Sequence, residues 1–230
     1  MTHPNPLGEL QSSLRSFRLA GITLCLLMLT SVGPILAEDA SEKADEEGFI
    51  SLWDGETFEN WKINENEDTW SIQDGAIVAN GPRSHLFYTG PRAPFKNFEL
   101  KVDVKASHNS NGGIYFHTKY QDEGWPSAGY ETQVNNTYSV DPRKTGSLYA
   151  VDDVHEQHVE DDTWWTQHVV VNGNHVVIKV NDKTVTDYTV PEGEKSRIGA
   201  GTFALQGHDP GSTVYYKNIR VKPLPDEAAE

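Results

Sequence analysis

The sequence predicts an all-β domain, two antiparallel sheets packed as a sandwich, and three observations carry that prediction. Phe98-Glu-Leu-Lys-Val-Asp-Val-Lys-Ala106 alternates apolar and polar residues, so Phe98, Leu100, Val102, Val104 and Ala106 share one face and charges line the other. Turn signals such as Asp74-Gly75 and Gly173-Asn174 recur between short apolar runs. No window holds a sustained helical period, and many short strands separated by turns argue for a sandwich or barrel.

Taken in order, the chain opens with an export signal over residues 1–37. Arg15 and Arg18 form a short basic region, Leu19 to Leu36 an apolar stretch, and Ala37 a small residue at the point of cleavage. The alternative is an uncleaved membrane anchor, which Gly33-Pro34 would interrupt and whose length is marginal against the ~20 residues a span needs. Cys25 follows Leu24, where a lipidation signal wants a small residue. After cleavage the chain is expected in the periplasm or outside the cell. No cysteine then remains, because Cys25 is the only one, so disulfides and thiolate chemistry are excluded.

Residues 38–48 read as a solvated acidic linker, 49–224 as the domain, and 225–230 as an acidic tail. Within the domain, Trp70 to Gln73 and Ala76 to Ala79 flank Asp74-Gly75 as a hairpin. His168 to Asn172 and His175 to Val180 flank Gly173-Asn174 as another. A turn at Asn181-Asp182-Lys183 leads into a strand over 184–190, and residues 201–206 and 213–221 bracket a turn at His208-Asp-Pro-Gly211. Two long loops, 119–126 and 152–163, are where a rigid sheet would carry a site.

The formal net charge is −15, from 34 acidic and 19 basic residues. Such a surface repels nucleic acid and anionic lipid, so no nucleic-acid partner is expected, and a membrane only if the signal stays uncleaved. A neutral or cationic ligand suits the charge. Nothing in the sequence points to a protein partner.

Eight segments, in order and spacing, resemble one family. They are Phe49-Ile-Ser-Leu-Trp-Asp-Gly-Glu-Thr-Phe-Glu-Asn-Trp61, Trp70-Ser-Ile-Gln-Asp-Gly75, Asn97-Phe-Glu-Leu100, Asn111-Gly-Gly-Ile-Tyr-Phe116, Gly129-Tyr-Glu-Thr-Gln-Val134, Thr145-Gly-Ser-Leu-Tyr149, Leu205-Gln-Gly-His208 and Lys217-Asn-Ile-Arg220. The string is similar to the 3-keto-disaccharide hydrolase domain family over nearly all of 49–224. The resemblance implies a concanavalin-like jelly roll of the lectin and glucanase type, a sugar site across a concave sheet face, and cleavage of glycosides oxidised to a ketone at C3. Where the family often has Ser at 112 and Arg at 117, this sequence has Gly112 and His117.

A ketone at C3 acidifies the C2 proton. A base can remove it, the C1 oxygen leaves by β-elimination, and water can add back to give net hydrolysis. The route needs a base at C2, an electrophile at the ketone oxygen and an acid at the leaving oxygen. Glu131 is the candidate base, because on a strand it shares a face with Gln133 while Tyr130, Thr132 and Val134 take the other. Its plain alternative is a solvated strand carboxylate. His208 is the second candidate catalytic residue, as acid, ketone polariser or metal ligand, against a turn histidine beside Asp209.

Candidate substrate contacts are Gln133, His117, Arg143, Tyr149, Gln206 and Trp125. His117 would share a face with Tyr115 near Glu131, or be a surface histidine. Arg143 would grip sugar, or pair with Asp141; Trp125, in Gly124-Trp-Pro126, is the best stacking surface. Trp53, Trp61, Trp70 and Trp165 read as core, and Asp54 and Asp74 as turn residues. The run Asp152 to Asp162 holds His155 and His158 but lacks the helical spacing of a zinc site, so no metal residues are assigned. No cofactor is required by the sequence, although a divalent ion held by His and Glu could polarise the ketone. A non-catalytic sugar-binding module and an envelope protein of adhesive role are the competing functions.

Overall fold

The structure, a computed structural model, describes residues 45, 47–193 and 195–226. The export signal at 1–37, most of the linker at 38–48 and the last four residues of the tail lie outside the described residues.

Thirteen strands follow in chain order: β1 (Ile50–Ser51), β2 (Trp61–Ile63), β3 (Trp70–Gln73), β4 (Ala76–Ala79), β5 (Ser84–Tyr88), β6 (Phe98–Ala106), β7 (Gly112–Thr118), β8 (Tyr130–Val134), β9 (Trp165–Asn172), β10 (His175–Val180), β11 (Lys183–Thr189), β12 (Thr202–Gly207) and β13 (Val214–Pro223). Among the described residues the only helical element is one 3-10 turn, Glu67–Thr69, and no helix is long and apolar enough to cross a membrane.

The strands form two antiparallel sheets. The larger has eight strands in the order β11-β10-β9-β6-β13-β4-β3, with β1 added on β13; the smaller has five, ordered β2-β5-β12-β7-β8. Both predicted hairpins are present, β3–β4 and β9–β10. Strands β12 and β13 are adjacent in sequence but lie in different sheets, so the turn after Gly207 is a crossing between layers.

Strand β6 shows the alternation at its cleanest. Phe98, Leu100, Val102, Val104 and Ala106 are all buried, while the residues between them are half-buried on the outer face. Each large apolar side chain so buried stabilises by roughly 1.5–3 kcal/mol. The facing layer comes from the smaller sheet, where Leu86, Ile114, Phe116, Tyr130, Val134, Phe203 and Leu205 join the same core. Trp53, Trp61, Trp70 and Trp165 are in it too, as the sequence indicated.

The smaller sheet is buried on both faces: every residue of β5, β7, β8 and β12 is buried. One face meets the core. The other carries His85, Phe87, Tyr115, Glu131, Gln133 and Gln206, roofed by loops, and Phe87, Tyr115 and Ala204 make a small second cluster there with Tyr120. This outer face is where a site can form.

His117 departs from the sequence expectation. In the β7–β12 register Thr118 faces Thr202, yet Tyr115 faces Ala204, so β7 carries one extra residue there. His117 has a positive φ of 54° at this bulge. A bulge interrupts the alternation of faces. The imidazole therefore packs edge-on against Phe98 of the other sheet, at 5.5 Å, instead of joining Tyr115. Its Nε2 donates to Lys96 O at 2.8 Å, and burial pulls its pKa down.

Candidate functional site

A pocket of about 330 Å³ opens on the outer face of the smaller sheet, lined by Asn111, Tyr115, Trp125, Pro126, Glu131, Gln133, Tyr149, Arg197, Gln206 and His208. That volume is at the small end of sites for organic ligands, roughly 300–1,000 Å³.

The floor is made by strand pairing. Tyr115 of β7 sits opposite Glu131 of β8, and Ala204 of β12 lies on the other side of Tyr115. Gln206 Nε2 donates to Glu131 Oε1 at 2.8 Å and to the Tyr115 hydroxyl at 3.2 Å, and that hydroxyl donates in turn to Glu131. The Gln133 amide, oriented with its nitrogen toward Glu131, donates to Oε1 at 3.3 Å and to Gly112 O at 3.2 Å.

Glu131 is 8% exposed. Desolvation pushes its carboxyl up to about 7, against the pull of the Tyr115 and Gln206 hydrogen bonds and the field of Arg197. Burial and the neighbouring Glu131 push the Tyr115 hydroxyl up, so it stays a protonated donor.

Two glycines make room for this floor. A Cβ on Gly113 would collide with the Glu131 carboxylate, which lies across that position. A Cβ on Gly112 would stand 2.8 Å from the Tyr216 hydroxyl, which donates to Gln206 O at 2.9 Å. The space that a serine at 112 would need is therefore taken by Tyr216.

The walls come from loops. His208 follows β12, and its Nδ1 donates to Asp209 Oδ2 at 2.7 Å, which leaves Nε2 free. Asp209 is itself fixed by Ser212 Oγ at 2.9 Å. The Tyr149 hydroxyl donates to Asp141 Oδ2 at 3.1 Å. Trp125 is 44% exposed and packs its ring 5.3 Å from that of His208. Arg197 stacks over Tyr130 at 4.5 Å and supplies the cation on the wall.

Six sequence-predicted residues thus meet here: Glu131, His208, Gln133, Tyr149, Gln206 and Trp125. His117 and Arg143 do not line the pocket. The Arg143 guanidinium reaches Asp141 at 3.3 Å and Asp153 at 3.1 Å and covers the Tyr149 ring at 4.7 Å, so it acts behind the wall. The expected pairing with Asp141 wins because two carboxylates hold the fork.

Sequence reasoning missed Arg197, which lies in irregular chain and is surrounded by no motif. Tyr115 lay inside a family segment and on the right face of β7, and Asn111 in the same segment just before that strand, a signal that could have found them. Among the described residues no three His, Asp or Glu side chains converge to hold a metal, and within the pocket only Glu131 and His208 are donors of that kind. His155 turns instead to Pro142 O, at 3.2 Å.

The family profile described as the 3-keto-alpha-glucoside-1,2-lyase-like domain matches residues 48–222. A curated 3-keto-disaccharide hydrolase of Bacteroides thetaiotaomicron is 33% identical over 81 residues, which span 31% of this chain and 28% of that protein. A Parabacteroides distasonis structure, provisionally described as a glycosyl hydrolase, aligns with TM-score 0.65 at 24% identity, covering 78% of this chain and 95% of that one. A Bacillus subtilis protein of unknown function with a galectin-like fold aligns with TM-score 0.55 at 10% identity over 74% and 92%. These structural likenesses establish the fold as a jelly roll of the galectin and concanavalin type.

Proposed function

The chain belongs to the 3-keto-alpha-glucoside-1,2-lyase-like domain family, and we propose that it cleaves 3-keto-glycosides by β-elimination with Glu131 as the base. The observation that carries this reading is one carboxylate buried on the pocket floor with its pKa raised to about 7. A base of that strength is still ionised near neutrality and stronger than an ordinary carboxylate.

Each remaining wall has a role in the step. Glu131 takes the C2 proton, and the C2–H electron pair moves into an enolate at C3. Arg197 is the cation available to the enolate oxygen. As the ketone re-forms, C1=C2 appears and the C1–O bond breaks. His208, oriented by Asp209, gives a proton to the departing oxygen. Addition of water across C1=C2 then gives net hydrolysis. Trp125 and Tyr149 offer ring faces to the sugar's C–H surface. No step is routed through a metal, because the donors present do not make a three-ligand set. We further propose that export brings the protein to its sugar outside the cytoplasm.

The competing reading is a non-catalytic sugar-binding module, favoured by the half-exposed Trp125. One experiment separates the two. The purified protein is incubated with a 3-keto-glucoside and with its unoxidised parent, with and without chelator. Release of aglycone from the ketone alone, lowered by roughly 10²–10⁴-fold in Glu131→Gln, supports elimination. Binding of both sugars with no turnover under any condition leaves only the binding module.

A further inference from the structure

Six buried side-chain polar atoms have no hydrogen-bond partner among the described residues, and four of them cluster: Asn64 Nδ2, both ring nitrogens of His85, and Gln206 Oε1. The three residues are neighbours at one end of β2, β5 and β12. His85 faces Gln206 in the β5–β12 register. His85 N donates to Asn64 Oδ1 at 2.8 Å, and Asn64 N donates to His85 O at 3.1 Å.

His85 is fully buried, yet it is not part of the core. It lies on the outer face with Tyr115, whose ring it meets edge-on at 5.5 Å. Its cover is Trp125, also edge-on at 5.5 Å. A buried polar group without a partner is rare and costs stability, whereas an apolar ring of the same shape would not. Its retention here needs a reason.

The cover is fastened by polar contacts. Gly124 N donates to Glu65 Oε1 at 3.0 Å, and Glu65 is paired with Arg83 at 2.9 Å. Arg83 also lies 5.4 Å from the Trp125 ring, and Gln121 Nε2 donates to Trp125 O at 2.9 Å. Contacts of this kind are exchanged for water at small net cost when a surface loop swings out.

We propose that Asn64, His85 and Gln206 form a hydroxyl-binding subsite of the pocket, closed in this structure by Trp125 and reached when that side chain moves aside. The donors and acceptors match a neighbouring pair of sugar hydroxyls. A neutral imidazole offers one donor and one acceptor, Asn64 Nδ2 a donor and Gln206 Oε1 an acceptor, and each hydroxyl both gives and takes. Burial holds the imidazole neutral, with its pKa pulled down to about 3, so the subsite presents no cation to an anion. Gln206 also lines the open pocket, which makes the two continuous. The subsite rests on the reading of that pocket as a sugar site.

The test uses the full chain labelled with ¹⁵N at histidine, titrated with methyl 3-keto-glucoside and with methyl glucoside, while tryptophan fluorescence reports binding. The His85 ring nitrogens are expected to shift at saturation. His85→Phe, which keeps the ring and removes both nitrogens, is expected to weaken binding about tenfold while the unliganded variant melts no lower than the parent. Binding with unmoved His85 signals, or with undiminished affinity in His85→Phe, overturns the subsite and leaves the lyase reading intact. Shifted signals without cleavage keep the subsite and sink the lyase. No binding of either sugar overturns both.

Discussion

At the scale of the residue, Glu131 is in tension with the fold that holds it. Its carboxyl has been lifted from 4.5 to about 7, so the folded protein retains a proton that the unfolded chain has released between those values. Stability is therefore present at low pH and is lost as pH rises through that window, while the basic form that the proposed elimination uses grows over the same range. The rate kcat/KM is expected to rise with pH as Glu131 ionises through about 7. Glu131→Gln is expected to gain nothing at pH 4 and up to about 3 kcal/mol at pH 8, measured by urea unfolding at both values. Gly113 is tied to the same group. In Gly113→Ala the added methyl runs into the Glu131 carboxylate, down to its Cγ at 3.0 Å, and must push this buried, hydrogen-bonded side chain aside. Turnover should fall by roughly 10²-fold, and the urea midpoint should fall too, by about 1–3 kcal/mol of stability.

At the scale of the element, alternation predicts both what a strand buries and what it tolerates. Leu100→Ala on β6 should cost about 2–5 kcal/mol, and Thr184→Ala, exposed on the edge strand β11, within about 0.5 kcal/mol in either direction. Thermal melts of the two variants check the contrast. The same parity rule read Glu131 and Gln133 correctly into the pocket, because β8 is regular throughout. It failed for His117, because a bulge is a property of the pairing with β12 and leaves no mark on β7 alone. Arg197 was beyond its reach, since a coil has no parity. The hairpins were legible from Asp74-Gly75 and Gly173-Asn174. The assignment of β12 and β13 to opposite sheets was not, because a turn signal says that the chain reverses and not which layer it enters.

At the scale of the whole molecule, the strand orders have a consequence for when the fold can exist. In the smaller sheet β12 stands between the β2–β5 pair and the β7–β8 pair; in the larger, β13 stands between β6 and β4. A chain stopped at Gly201 should remain protease-sensitive and without a melting transition, whereas one stopped at Leu224 should fold with a loss of about 1 kcal/mol, the value of the Asn97 hydrogen bonds to Pro225 and Asp226. Until residues 202–223 arrive, each sheet is two unjoined halves with open edges. That segment is the keystone of both layers. A chain without residues 202–223 therefore offers proteases an unclosed shell.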